Sequence, residues 1–269
     1  MDVVINGALD KAPATALPLV SQGSYYLNLL ACLGFDNTEL PLADLLRRYH
    51  HLEGQWLIAS PIHWEATHND AMLVATTEEL ELTEEESRLW FAEVAQFLKT
   101  DGFEPVYHDA QNWLLKIDQK PAILSQAPHA MLHKSIMPAL DTMDSTLFWQ
   151  RLITELQMFM SSHPLNIKRE GKLAINGLWF WGASSFNIPE NKQIVTDDEL
   201  LLHFATEQIT PLTPTIDFEK NSLLIIHDPK QVDIAHLQEK TKKNTVRWYW
   251  NNLAYLSQPK PWWLRLWSK

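Results

Sequence analysis

The segment HPLNIKREGKLAINGLWFWGAS, His163 to Ser184, concentrates residue types that can do chemistry. Asn166, Lys168, Arg169 and Lys172 fall between an apolar helical stripe and a continuous apolar run. That order puts cationic and amide donors on a loop ahead of a buried strand. An arginine so placed can hold a carboxylate or phosphate through a planar, two-pronged fork. Asn176 falls inside the apolar run, on the face of Leu178 and Phe180 by the two-residue period of a strand. A buried amide must be hydrogen-bonded, either to a ligand or to a structural partner. Two outcomes follow: an anion pocket built on these residues, or a solvated basic turn with an Asn that braces a neighbouring loop. On residue chemistry alone the bracing turn is preferred.

Other constellations are thinner. His63, His68 and Asp70 lie close enough to share a metal, but they match no standard metal spacing, and a polar loop between strands is the simpler expectation. His227 and Asp228 end an apolar run, where open α/β sheets place their sites, and a His-Asp pair there can do acid–base work. An Asp-Pro turn after a strand explains the same residues. Ser60, Ser184 and Ser185 lack the G-x-S-x-G setting of an activated nucleophile. No catalytic residue, metal ligand or cofactor is assigned. The single cysteine, Cys32 in LLACLGF, excludes an intrachain disulfide and reads as a buried structural thiol.

The elements that must position these residues can be read in outline. Residues 24–33 and 41–50 are expected as helices, and 53–60 and 70–76 as strands joined by PIHWEATHN. Thr83 and Glu86 have capping-box spacing. Trp90, Val94, Phe97 and Leu98 recur at helical period, with Gly102 placed to end that helix. Residues 103–118 suit a hairpin, and 119–143 a proline-punctuated loop. Asp144 or Ser145 can cap a helix that runs to Ser162 and stops at His163-Pro164, because proline disfavours helix in the residue before it. Residues 173–181 and 222–229 are apolar on both faces, as central strands are. A helical pattern follows in HLQEKTKKNTVRWYW, and residues 1–22 look irregular. The order predicts an α/β fold, layered, with a mixed β-sheet flanked by helices. A boundary near 119–143 divides the chain into lobes 1–130 and 131–269, or the two form one continuous domain.

With 33 acidic and 22 basic side chains, the formal charge of −11 disfavours a nucleic-acid partner. The N-terminus lacks the basic and apolar regions of a signal peptide, and no apolar run reaches the ~20 residues that span a bilayer. A cytoplasmic location without stable membrane insertion is the expectation. Twelve Trp is a high count, and some should line a groove or interface. The tail PKPWWLRLWSK mixes Trp with Lys and Arg. It can lie at a membrane interface, stack on bases or meet a protein partner, though packing of its rings on the domain is preferred.

The middle segment also resembles a family signature. HPLNIKREGKLAINGLWFWGAS is similar to the His-Pro-Val-Asn, Arg, Asn-x-x-Trp-x-Trp-Gly pattern of a bacterial RpfE-type regulatory family. Glu155, Gln157 and Met158 sit where that family has an acid-x-Gln-Met run. ASPIHWEATHNDAML resembles its Asp-Pro-Val-His-Leu segment, with Ser60 in place of the acid, Pro61, Ile62 and His63 matching, and Asp70 as the later acid. WWLRLWSK resembles its ending. The middle segment is also similar to the insertion domain of archaeal-type cofactor-independent phosphoglycerate mutase, which implies kinship with alkaline-phosphatase-like proteins. That enzyme's Asp-Gly metal loop, phosphorylated Ser and Asp-x-x-Gly-His motif have no counterpart: the only Asp-Gly is Asp101-Gly102, and Gly-His does not occur. The resemblance therefore implies a non-catalytic regulatory or accessory protein that binds a small anionic ligand, with phosphorylated ones among the candidates. Its ligand-facing positions would be His163, Asn166, Arg169, Asn176, His63 and Asp70. A phosphoryl-transfer enzyme with an altered site and a protein-interaction module are the alternatives.

Overall fold

The structure is a computed structural model, and it describes residues 1–76, 79–204, 206–213 and 222–259. The Trp-rich end of the tail, from residue 260, lies outside the described residues, and with it the expectation of a partner surface there. In chain order the elements are β1 (Asp2–Ile5), β2 (Leu17–Leu19), α1 (Tyr25–Leu33), α2 (Leu42–Tyr49), β3 (Trp56–Ala66), β4 (Ala71–Thr76) and α3 (Glu84–Lys99). Then come β5 (Pro105–Tyr107), β6 (Trp113–Lys116), α4 (Met137–Thr142), α5 (Phe148–Ser161), α6 (Pro164–Ile167) and β7 (Gly177–Trp181). The remainder is β8 (Gln193–Thr196), α7 (Glu199–Leu202), β9 (Ile209–Pro211), β10 (Ser222–Ile226), α8 (Ile234–Thr241), β11 (Val246–Tyr249) and β12 (Ala254–Ser257). Two sheets flanked by helices make this the expected mixed α/β fold. No helix among the described residues is long and apolar enough to cross a membrane.

The chain divides into two compact units, Met1–Gly34 with Asn187–Lys269, and Phe35–Phe186. The expected division near residue 130 differs from this. Residues 119–143 belong to the second unit, where Ile136 N–H donates to Ala71 O and His133 N–H to Leu73 O, tying the segment to β4. They also carry a 3-10 turn, Pro128–Met131, and α4.

In the first unit the sheet order is β2-β12-β11-β1-β10-β8-β9. β1 runs parallel to β10 and β11, β8 runs parallel to β10 and β9, and β12 is antiparallel to β11 and β2. The N-terminus is therefore not an irregular lead-in. Val3, Val4 and Ile5 are fully buried at the middle of the sheet. β-branched residues suit a strand covered on both faces, and so short a run shows no period by itself. Val3, Ile5, Leu224 and Ile226 share a core with Leu237 of α8, Trp248 and Tyr255. α1 begins where the Ser24 hydroxyl accepts Leu27 N–H, and it ends at Gly34 with φ of 98°, a left-handed turn that glycine adopts without strain.

The second unit is antiparallel throughout. β3 pairs with β6 over Trp56–Ala59, with β4 over Ile62–Ala66 and with β7 over Ile58–Ile62. PIHWEATHN is thus mostly strand, and only residues 67–70 turn the chain. Pro61 sits where β3 exchanges one neighbour for the other, so its missing N–H leaves no gap in the ladder. Most of the indoles in this core reach acceptors, while the buried Trp64 and Trp90 Nε1 groups have none among the described residues. Trp113 Nε1 donates to Ser87 Oγ (3.1 Å), Trp149 to Pro121 O (3.0 Å), Trp179 to Gln126 O (3.0 Å) and Trp181 to Ser60 Oγ (3.0 Å). Ser60 is therefore a buried acceptor. Asp144 does cap α5, accepting Phe148 and Trp149 N–H at 3.2 and 3.0 Å.

Candidate functional site

The residues of the HPLNIKREGKLAIN segment converge, but on backbone. Leu173 to Asn176 approach β7 in extended form, outside the helices and strands. Each of the four residues is held by a side chain or by its own. Arg169 Nε donates to Leu173 O at 2.8 Å. His63 Nδ1 donates to Ala174 O at 2.8 Å. Asn166 clasps Ile175, its Oδ1 accepting the N–H (2.8 Å) and its Nδ2 donating to the carbonyl (3.0 Å). Asn176 N–H donates to Ile62 O, and its amide mimics a peptide toward β3, donating to Trp64 O at 2.7 Å and accepting Trp64 N–H at 3.0 Å. That contact falls where the β3–β4 register shifts between His63 and Trp64, a bulge that needs such a brace. Gly177 follows because a Cβ there would sit 2.7 Å from Trp64 Nε1.

Arg169 is the anchor of this clasp. Its side chain is 1% exposed, its Nη1 pairs with Glu86, and its Nη2 donates to Leu80 O. The fork expected to hold an anion is filled by the protein itself. Glu86, for its part, turns to Arg169, while Thr83 Oγ1 accepts Glu86 N–H at 3.2 Å. His163 is the N-cap of α6, accepting Leu165 N–H through Nδ1, and its ring packs 5.0 Å from Trp90 and 5.2 Å from Phe159. Asn166 Nδ2 also reaches Met160 O (2.9 Å), joining the end of α5 to the clasp. Asn176 precedes β7 and does not lie within it.

Asp70 stays apart from this group. Its Oδ1 accepts Ala71 N–H (2.8 Å) and Ser135 Oγ (2.5 Å), closing the β3–β4 turn. His68 is exposed at the tip of that turn. Among the described residues, no group of three or more His, Cys, Asp or Glu side chains is arranged to hold a metal.

In the first unit the parallel strands β8 and β10 end side by side. Asp197 accepts the backbone N–H groups of His227 (2.6 Å) and Asp228 (3.0 Å). Asp198 caps α7 by accepting Leu200 N–H at 2.9 Å, and it accepts the Tyr25 hydroxyl at 2.6 Å. Burial, with the Asp198 carboxylate beside it, pushes the Tyr25 hydroxyl well above the usual phenol range. Asp228 is held below the usual carboxylate range by hydrogen bonds from the Gln231 side chain and Lys230 N–H. His227 is exposed, its ring edge-on to Tyr25 at 5.6 Å. The carboxylates here order loops; the imidazole faces solvent. Cys32 is buried, and burial raises its thiol to about 12, so it is unreactive near neutrality.

The first unit also holds a groove of about 540 Å³ between α8 and the β11–β12 hairpin, with Pro13 and Thr15 on its rim. That size falls in the ~300–1,000 Å³ range of small-molecule sites. Trp248 and Tyr255 form its floor as stacked rings 6.1 Å apart. Gln238 donates to the Tyr255 hydroxyl (3.0 Å), and Ser257 Oγ accepts Trp248 Nε1 (3.0 Å). Lys242 and Lys243 are exposed on the wall, and Lys242 pairs with Glu239. Sequence reasoning missed this place. The signal was the cationic KTKK followed by RWYW, which reads as one helical pattern until the turn at residues 242–244 separates helix from strand.

The chain is similar to the solved structure of a cofactor-independent phosphoglycerate mutase from Thermoplasma acidophilum DSM 1728, at 12% identity and a TM-score of 0.34, covering 96% of this chain and 89% of that one. No protein-family model and no curated protein matches the sequence, so the RpfE-type likeness rests on the residues quoted above alone.

Proposed function

We propose that this chain is a non-catalytic accessory or regulatory protein that binds a small phosphate-bearing anion, and that the ligand sits in the groove between α8 and the β11–β12 hairpin. The observation that carries this reading is a ligand-sized groove whose wall carries Lys243 and a Lys242 paired with Glu239, in a chain of net charge −11. Ammonium groups beside a groove focus negative charge toward it. In water an exposed lysine contributes about 1 kcal/mol to a unit charge 4 Å away, and Lys242 contributes less because Glu239 pairs with it. Gln238 and Ser257 add polar contacts, and the stacked rings supply an apolar floor. The non-catalytic part of the reading is supported by the internal work already done by Asp197, Asp198 and Arg169.

The test is calorimetric titration of inorganic phosphate and 3-phosphoglycerate at low salt. Binding in the millimolar range or tighter is expected, weakening as salt screens the lysines. Lys242→Glu/Lys243→Glu should abolish it. Undiminished binding in that variant, or none in the wild type, overturns the assignment. Interconversion of 2- and 3-phosphoglycerate by metal-supplemented protein would overturn the non-catalytic reading.

A further inference from the structure

We propose that His50 and His108 form a two-histidine site for a divalent transition-metal ion, copper(II) in preference to zinc(II), with solvent filling the remaining positions. His50 is the C-cap of α2, and His108 directly follows β5. The fold brings them together: His50 Nε2 lies 2.9 Å from His108 Nδ1, with the rings nearly perpendicular at 88°. Two nitrogens that close share one proton, and a metal ion can replace it. Imidazole nitrogens bound at the ~2.0–2.1 Å of Zn–N bonds lie roughly 2.9 Å apart at a right-angled ion and roughly 3.4 Å apart at a tetrahedral one. The observed separation is that of the hydrogen bond the ion would replace and is within reach of either geometry, so the preference for copper(II) follows from its standing above zinc in affinity for nitrogen donors. To point both lone pairs at one ion, each ring turns by roughly 45° off the N···N line.

One carboxylate stands behind the pair. Asp109 Oδ2 stands 3.7 Å from His108 Nε2, the far nitrogen. That carboxylate lies beyond hydrogen-bond reach of the ring, and the N–H groups of Gln111 and Asn112 fix it there as a negative charge behind His108. His50 ends α2, whose last turn also carries Arg47 and Arg48, both paired with Asp44. Tyr49 packs edge-on to both rings, at 5.2 and 6.1 Å, and limits how they turn. Both histidines are partly exposed, so hydrated ions can reach them.

The experiment titrates copper(II), and separately zinc(II), into the full chain against a competing chelator. One equivalent of copper is expected, with the electron paramagnetic resonance signature of two imidazole nitrogens. His50→Gln and His108→Gln should each weaken binding by at least about tenfold, while His68→Gln, at an exposed turn, should not. Should His108→Gln fail to fold, zinc(II) added to the wild type gives the answer by nitrogen NMR: the shifts of His50 Nε2 and His108 Nδ1 should move together. Equal copper affinity in wild type and His50→Gln, or shifts confined to other histidines, overturns the site.

Discussion

The clasp around Leu173–Asn176 and the groove beside α8 make opposite use of similar residues. The clasp holds His63, Asn166, Arg169 and Asn176, the types a sequence reader reserves for ligands. Every one of them is bound to backbone. The groove is lined by Gln238, Lys242, Lys243 and Ser257, which attract no notice in the sequence, yet it is open and of ligand size. The difference comes from the backbone. An extended segment that enters a buried strand without a ladder partner leaves carbonyls and N–H groups that must be satisfied, at about 1–3 kcal/mol each if they are not. Amide, imidazole and guanidinium side chains are the groups able to satisfy them. α8, β11 and β12 satisfy most of their own backbone groups, so Gln238, Ser257 and Lys242 bond chiefly to neighbouring side chains at the surface, and the exposed Lys243 is left beside an open groove.

Removing the anchor should have the largest effect. Arg169→Ala strands Glu86 and two carbonyls around a buried position, and loss of one partner of such a pair costs about 3–5 kcal/mol. Thermal unfolding should show that loss, while phosphate affinity of the folded fraction stays unchanged. A variant that keeps its stability and loses phosphate binding would make the clasp a site after all. Asn176→Leu comes next. It removes both contacts to Trp64 at the bulge, for about 1–3 kcal/mol in a denaturant titration. Lys243→Glu should leave stability within about 0.5 kcal/mol, as exposed substitutions do, yet weaken phosphate binding severalfold. A stability loss comparable to that of Asn176→Leu would show the groove wall to be structural too. The smallest effect belongs to Cys32. With its thiol raised to about 12, it is protonated at pH 8, so a thiol reagent should leave the native protein unlabelled over hours and react once the chain is unfolded. Rapid labelling of native protein would place Cys32 at an accessible surface.

Much of the frame was legible in the sequence. Helical period marked α3 and α5, and continuous apolar runs marked β7 and β10. The hairpin of β5 and β6 and the bracing reading of Asn176 were available from residue chemistry. Three features were not. β1 is too short for a period, and its partners β10 and β11 lie more than 200 residues away. β3 continues through Pro61 because that residue falls between two ladder neighbours, which no local rule reveals. The two-unit division follows from the same distant pairing of β1, while a proline-rich stretch that looked like a linker is tied to β4.

Alone, the sequence determined that α1, α2, α3 and α5 are helical, that β7 and β10 are buried on both faces, and that Cys32 belongs inside. These follow from period, capping and burial, which act within a few residues. Only the tertiary structure decided what Arg169, Asn166 and His63 hold. Their partners are 4 to 111 residues away along the chain, and a side chain able to bind either an anion or a carbonyl takes whichever the packing brings within 3 Å.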